Sequence, residues 1–320
     1  MNIKRSQIAI AAALCAYNAL PGAHAQSPVT VPAADMAGTQ QSVIVTGTRS
    51  SNRTQFDTLA PVDVFTREEI GAVESSDLND VLAQLVPSYV VQRLPMADGQ
   101  VFVRPATLRG LSPDQTLVLV NGRRFHRSAL LGARGAQAPD LAQIPTSAIK
   151  RIEVLRDGAS AQYGSDAIAG VINIILDDSV GGEITARHAQ YSEGDGKSNE
   201  LNAKYGFTFG DDGRVLLFAE AAKSDPTSRT RQRPDAIAFQ AAHPNLAVPN
   251  PVQRWGQPEL ESQRVGFNAS LGLAGDTVLY GHGLYGHSDG TSDFNWRNPD
   301  TSTSVYKTCL LYTSPSPRDS

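Results

Sequence analysis

The residue types that most often carry out catalysis are present in this chain, but not at the spacings that catalysis needs. Gly158 and Gly164 are spaced wrongly for a phosphate-binding loop, and no lysine follows the second glycine. No Gly-x-Ser-x-Gly pattern occurs, and a Ser/His/Asp triad could be assembled only by arbitrary choice. The histidines beyond residue 25 also lack metal-ligand spacing. They are His126, His188, His243, His282 and His287. We therefore predict no enzyme, no metal site and no cofactor.

Seven arginines offer a different chemistry, because a guanidinium group binds carboxylates and other anions through paired hydrogen bonds. They are Arg104, Arg109, Arg123, Arg124, Arg127, Arg151 and Arg156. They do not form a basic run, and the net charge of −4 argues against a nucleic-acid partner. Two functions are open to them: ion pairing inside the protein and contact with an anionic ligand.

Two short helices are predicted between residues 66 and 87. Thr66 and Glu69 have the spacing of a capping box, which starts a helix. Ser76 is predicted to cap the second helix, which ends before Pro87. The apolar positions of this second helix follow the i, i+3, i+4, i+7 pattern of a buried face: Leu78, Val81, Leu82 and Leu85.

Three apolar runs rich in β-branched residues predict short buried strands at residues 116–120, 149–155 and 171–176. Asn121-Gly122 forms a tight-turn pair, and Asp157-Gly158 and Gly164-Ser165-Asp166 supply turns between the other two strands. We expect Gly170 to be the last turn before a new domain begins. The helices and strands together predict a compact α+β unit over residues 55–177.

The order of three motifs makes this unit resemble the plug domain of TonB-dependent outer-membrane receptors. The motifs are Leu108-Arg109-Gly110, residues 117–124 (LVLVNGRR) and residues 149–175. The resemblance implies an α+β plug domain followed by the first antiparallel strands of a transmembrane β-barrel, which is incomplete in this chain.

Three segments are predicted ahead of the plug. Residues 1–25 have the charged, apolar and Ala-x-Ala parts of a signal peptide, and residues 26–41 are predicted to be a flexible periplasmic tail. Residues 42–49 resemble the TonB box, an extended peptide that the energy-transducing protein TonB captures by strand addition. The predicted TonB-binding residues are Val43, Ile44, Val45, Thr46 and Gly47. The alternative is that this run is simply the first plug strand.

After Gly181-Gly182 the sequence changes to longer alternating strands, and residues 182–308 are predicted to begin a transmembrane β-barrel. Apolar residues alternate with polar residues or glycine, so one face would meet lipid and the other the lumen. The predicted strands lie near 183–191, 199–209, 214–223, 263–273 and 277–287. The second and fourth strands are followed by short links, and the third by a long loop at 224–262, as a barrel entered from the periplasm requires. Residues 309–320 resemble translated sequencing-adapter DNA and are treated as an artefact.

The resemblance implies energy-coupled uptake of a scarce nutrient, of the siderophore-iron, cobalamin, haem or glycan class, across the bacterial outer membrane. The implied partners are TonB with its proton-driven inner-membrane complex, outer-membrane lipid, and a small-molecule nutrient or metal chelate. The plug and the TonB box would face the periplasm. The alternatives are a surface receptor or adhesin without active uptake, and a secreted α+β hydrolase.

Within this scheme the seven arginines have two alternative roles. The favoured role is pairing with carboxylates of the barrel wall, which would hold the plug in place. The other role places residues 123–139 near the extracellular vestibule, where they would touch an anionic substrate. The loops at 92–105 and 123–139 are the predicted apex of the plug, and the long loop at 224–262 is the other predicted substrate-contacting surface. The candidate substrate-contacting residues are Arg123, Arg124, Phe125, His126, Arg127 and Trp255.

Overall fold

The computed structural model describes residues 61–73, 75–93, 99–131, 136–273 and 277–300. The three N-terminal segments predicted above, with Val43–Gly47, and residues 309–320 lie outside this part of the chain. The described residues form two five-stranded sheets and one two-stranded sheet. We refer to residues 61–177 as the α+β region and to the five-stranded sheet within residues 181–291 as the second sheet.

The α+β region is built on a mixed five-stranded sheet with the strand order β1-β6-β7-β4-β5. In chain order its elements are β1 (Val62–Thr66), α1 (Arg67–Ala72), α2 (Leu78–Leu85), β2 (Tyr89–Val91), α3 (Gln100–Val103), β3 (Ala106–Leu108), β4 (Thr116–Val120), β5 (Arg123–Arg124), β6 (Ile149–Leu155), α4 (Ser160–Tyr163) and β7 (Gly170–Leu176). Strands β4 and β7 run parallel, whereas β1 pairs antiparallel with β6 at the edge of the sheet. Strands β2 and β3 pair separately.

The three strands predicted from apolar runs form the centre of this region and are confirmed. Every residue of β4 is buried, and Ile152 and Ile172 are fully inaccessible to solvent. Helix α2 covers one face of the sheet with Leu78 and Leu82, which are also fully inaccessible. Full burial of one such side chain contributes about 1.5–3 kcal/mol to stability. These strands therefore form a rigid support for the loops around them.

The start of α1 was predicted correctly and the start of α2 was not. The Glu69 amide donates to Thr66 Oγ1 at 3.4 Å, and the Thr66 amide donates to the Glu69 carboxylate at 2.8 Å, which completes the capping box. Asp77, and not Ser76, caps α2, because its carboxylate accepts from the Asn79 amide at 2.9 Å. A carboxylate at this position also interacts favourably with the helix dipole. Among the described residues, no helix combines the length and apolar character needed to span a membrane.

Of two predicted turns, the structure confirms one and contradicts the other. Asn121 and Gly122 have φ values of 49° and 75° and connect β4 to β5, so this tight turn is confirmed. The prediction that Gly170 is the last turn of the region is wrong, because Gly170 is the first residue of β7. Its φ of 148° belongs to the region that favours glycine, and it pairs with Thr116 of the parallel strand. The chain leaves the α+β region after β7.

The second sheet confirms the five predicted strands to within a few residues. Its elements are β8 (Gly181–Ala189), β9 (Ser198–Phe209), β10 (Gly213–Ser224), β11 (Glu259–Gly272) and β12 (Val278–Thr291). They pair antiparallel in chain order, β8 next to β9 and so on to β12. The turns that follow β9 and β11 are short, and the connection that follows β10 is long, as predicted. We call the end of the sheet that carries this long connection the loop end, and the opposite end the turn end.

The long connection contains a helix that the sequence pattern did not predict, α5 (Pro234–Ala242). It packs on the chain that follows β12, where the rings of Phe239 and Trp296 lie 6.1 Å apart. Arg254 donates to the Asp293 carboxylate at 2.8–2.9 Å with its side chain and at 2.7 Å with its amide. The two segments therefore form one folded cap over the loop end.

The two faces of the second sheet differ in chemistry. Tyr205, Leu217 and Phe267 lie opposite one another on three strands and are exposed on the outer face. The same face also exposes Ile184, Leu201, Phe207, Val265, Leu279 and Tyr285. The inner face carries buried polar side chains and is covered by the α+β region: Asn202, Lys204, Glu220, Ser262 and Arg264. An exposed apolar face of this size is typical of a surface that meets lipid or protein and not water.

Candidate functional site

A cavity of about 730 Å³ lies between the α+β region and the loop end of the second sheet. On one side it is lined by the start of α2, by α3 and by the chain that follows α3. On the other side it is lined by β8, β9 and β10 near the loop end. The principal side chains are Asp77, Asp80, Arg93, Phe102, Arg104, Arg187, Tyr191, Glu200 and Trp255. A volume of this order suits a small-molecule ligand.

Arg104 organises the wall of the cavity on the side of the α+β region. It has a left-handed backbone with φ of 49°, and its side chain is 7% exposed. Its guanidinium pairs with Asp77 and, at 3.0 Å, with Asp80, which also pairs with Arg93. Burial lowers the pKa of Arg104, although the charge of Asp140 acts in the opposite direction. The two arginines are thus neutralised by two carboxylates before any ligand arrives.

The opposite wall of the cavity is also internally paired. Arg187 and Glu200, on neighbouring strands, lie 3.4 Å apart. Tyr191 is held by Arg229, whose guanidinium lies 5.8 Å from the tyrosine ring and pairs with Asp195. Trp255 lines the cavity and remains 49% exposed. The groups left available to a ligand are therefore aromatic and uncharged polar surfaces more than free charges.

The six predicted substrate-contacting residues are not brought together. Arg123 donates to the Tyr280 hydroxyl at 2.8 Å and lies over its ring, close to the start of β12 and therefore at the turn end. Arg124 donates to the Asp166 carboxylate, which Arg127 also approaches, to 3.6 Å. Only Trp255 lines the cavity.

Phe125 and His126 stack on each other with ring centroids 4.4 Å apart, and Phe125 packs against the core. They lie outside the cavity lining as well. Of the two predicted apex loops, the described part of 92–105 reaches the loop end, because the Phe102 ring packs against Gly290 near the end of β12. In the other loop, Leu130 packs beside Gly99.

The favoured role of the arginines was pairing with carboxylates of the barrel wall, but six of the seven pair with carboxylates of the α+β region. Arg104, Arg109, Arg124, Arg127 and Arg156 pair with carboxylates of the α+β region itself. Arg104 pairs with Asp77 and Asp80, and Arg109 pairs with Asp157. Arg124 and Arg127 both pair with Asp166, and Arg156 pairs with Asp63. Arg123 does reach the second sheet, but through a tyrosine hydroxyl. Arg151 pairs with Glu153 of the same strand at 2.9 Å.

Among the described residues, an arginine that sequence reasoning missed pairs across to a carboxylate of the second sheet. Arg67, the first residue of α1, donates to Asp177 at 2.6 Å and to Glu183 of β8 at 2.9 Å. Lys204 of β9 lies 2.6 Å from Asp177 and 3.2 Å from Glu183. We call these four residues the ion-pair cluster. No local pattern marks it, because Arg67 and Asp177 are 110 residues apart.

A second polar contact zone lies between the cavity and the ion-pair cluster. Glu220 and Arg264 form an ion pair in which both side chains are almost fully buried. Facing them, burial raises the pKa of the Asp140 carboxyl, and this outweighs the hydrogen bonds from Gln143 and the Ala142 amide. Breaking a buried pair of this kind leaves an uncompensated charge, which costs about 3–5 kcal/mol. In the described residues, no group of three or more His, Cys, Asp or Glu side chains is placed to hold a metal ion.

Comparisons with known proteins agree with this arrangement. Residues 54–171 match the model of the TonB-dependent receptor plug domain. The vitamin B12 transporter BtuB of Vibrio cholerae is 37% identical over 149 residues, which are 47% of this chain and 23% of the transporter. BtuB of Photobacterium profundum is 37% identical over 154 residues, with the same coverage. This chain thus spans about a quarter of the length of these curated relatives.

Two solved structures have a similar fold. A variant of the ferric enterobactin receptor PfeA of Pseudomonas aeruginosa superposes with a TM-score of 0.54 at 21% identity, over 74% of this chain and 35% of that one. The siderophore receptor PirA of Acinetobacter baumannii gives 0.53 at 19% identity, over 77% and 34%. At these identities the likeness extends to the fold alone.

Proposed function

We propose that this chain serves TonB-dependent, energy-coupled nutrient uptake across the outer membrane, because residues 54–171 match the plug-domain model and a sheet of antiparallel strands follows them. One observation supports this best. The α+β region covers the polar inner face of a sheet whose outer face is apolar, the reverse of the pattern in a water-soluble sheet protein. A plug inside a lipid-embedded wall has this arrangement.

The ligand proposed for the cavity is a nutrient of the cobalamin or ferric siderophore class. The support is the resemblance to a vitamin B12 transporter and to siderophore receptors. The cavity adds a preference for aromatic contact, since its charges are paired and Trp255, which lines it, is exposed. We keep Trp255 as a candidate contact. Arg123 is proposed to stabilise the turn end instead, and Arg124 and Arg127 to stabilise the α+β region through Asp166.

Energy coupling is proposed to act through Val43–Gly47, captured by TonB as an added strand. The chain from there leads into β1, so a pull on this segment would load the edge of the plug sheet first. The domain limits predicted above are proposed with the same roles: signal peptide, tail, TonB box, plug and barrel strands. In this scheme the protein makes and breaks no covalent bond.

Deleting residues 43–47 from the full-length gene tests this proposal. We expect cells that produce the variant to bind labelled cobalamin or ferric enterobactin as the wild type does, but to accumulate neither beyond the level of cells that lack TonB. A matched control deletes five residues of the predicted tail, 30–34, and should leave accumulation unchanged. Undiminished uptake by the 43–47 variant would refute the assigned TonB box. Binding without any TonB-dependent uptake by the wild type would favour a surface receptor.

A further inference from the structure

The first two elements of the α+β region are held in different ways. Strand β1 is an edge strand, attached to β6 through five residue pairs between Val62 and Thr66. Its side-chain ion pair among the described residues, Asp63 with Arg156, is partly exposed on both sides and joins it to the residue that follows β6. An exposed pair of this kind contributes little to stability. Strand β1 is therefore held by its hydrogen bonds to β6 and by apolar contacts, since Val62 is 2% exposed and Phe65 packs against the core.

Helix α1 follows β1 without a break, but it is attached to another part of the molecule. Arg67 reaches the chain between β7 and β8 through Asp177, and it reaches β8 itself through Glu183. Asp177 and Lys204 are 6% and 7% exposed in their side chains, so their interaction is well shielded from water. One turn further along, Ile70 is inserted into the core at 3% exposure.

We propose that the ion-pair cluster stops displacement of the N-terminal segment at Arg67. When the chain ahead of Val62 is pulled, β1 separates from β6, while α1 stays attached to the second sheet. A strand unpaired at an edge opens one residue pair at a time, whereas release of Arg67 requires two ion pairs to break together. The pull itself rests on the proposed function, but the unequal attachment of β1 and α1 does not.

Hydrogen–deuterium exchange on the full-length protein in lipid nanodiscs tests the unequal attachment. In the wild type, the amides of β1 should exchange by an opening that leaves α1 protected. Replacing Arg67 with alanine should raise exchange across α1 at least tenfold, with no change in β4. The matched control, Arg156→Ala, removes the charged contact of β1 and should raise exchange in β1 but not in α1. Glu183→Gln, which alters the more exposed partner, should have an intermediate effect on α1.

Two exchange results would overturn the inference: a protected α1 in the Arg67→Ala protein, or an α1 that opens together with β1 in the wild type.

A pulling measurement with a handle attached ahead of Val62 gives a second test. In the wild type, the first increase in chain length should correspond to release of β1. In Arg67→Ala this increase should be larger, by about 35 Å if the chain is freed up to Asp77. Equal extensions would refute the stop at Arg67. Neither measurement contains TonB or a nutrient, so either can fail while the uptake experiment succeeds.

Discussion

Gly170 has no space for a side chain. A Cβ atom at this position would lie 2.4 Å from the carbonyl oxygen of Leu155 and 2.8 Å from a methyl group of Leu108, and φ is 148°. The oxygen belongs to the backbone of β6, so it cannot move aside without disturbing the pairing of the two central strands. Backbone strain and overpacking therefore act together here.

We expect Gly170→Ala to destabilise the sheet by about 2–4 kcal/mol. Hydrogen exchange of the β7 amides in the assembled protein should accelerate roughly 30-fold or more. Gly110→Ala is the matched control, since Gly110 has φ of 72° but no atom within 4 Å of the added carbon. It should cost only about 1–2 kcal/mol. Equal effects of the two substitutions would show that contact with Leu155 is unimportant.

Asp177 gives the ion-pair cluster a dependence on pH. Burial alone would raise the pKa of this carboxyl, but the hydrogen bonds from Lys204 and Ser179 and the Lys204 charge outweigh it, so the pKa lies below its usual value. A lowered pKa means that the stabilisation is complete above the unfolded-state value, about 3.9, and is lost as the pH falls through the lowered value.

We therefore expect the protection of α1 amides, corrected for intrinsic exchange, to be constant from neutral pH to about pH 4 and to fall below it. Asp177→Asn should show weaker protection throughout and a smaller loss than the wild type in this acid range. An unchanged wild-type profile down to pH 2, measured by pulse exchange, would contradict the role given to Asp177.

Among the structural elements, the outer face of β11 gives a prediction that tests its proposed contact with lipid. Val265 lies in the middle of the strand and is 49% exposed, whereas Leu271 lies near the turn end on the same face. A charge facing lipid costs about 2–4 kcal/mol at the bilayer centre and about 0–1 kcal/mol near the interface.

We expect Val265→Arg to reduce the fraction of full-length protein that folds into vesicles, and Leu271→Arg to leave it nearly unchanged. Folding can be followed by the electrophoretic shift of unheated samples. Equal folding of both variants would argue against lipid on this face, and an equal loss would argue that depth is not the determining variable.

The elements also show where sequence patterns lose their predictive power. Strand alternation is a local property, so the five strands of the second sheet could be placed within a few residues. Helix α5 could not, because it has no marked apolar face and is held by Phe239 packing on Trp296, far along the chain. The cap of α2 was misplaced by one residue because Ser76 and Asp77 are both good caps.

For the whole molecule, the fold could be predicted and the grouping of the site residues could not. Buried strands and tight turns leave signatures within ten residues, and these led to the α+β region and the following sheet. The position of Arg123 depends on Tyr280, and that of Arg67 on Asp177, and both partners are more than 100 residues away. A run such as Arg123–Arg127 can therefore look like a binding surface, while Arg123 contacts the turn end, Phe125 packs against the core, and Arg124 and Arg127 pair with Asp166.

The cap over the loop end limits how such proteins can be recombined. The 225–258 connection and the chain after β12 share one aromatic contact and the Arg254–Asp293 pair. A chimera that takes only the connection from another protein would leave Asp293 and Trp296 without their native partners. If the proposed uptake function holds, a transfer of ligand preference between proteins would therefore require both segments to be exchanged together.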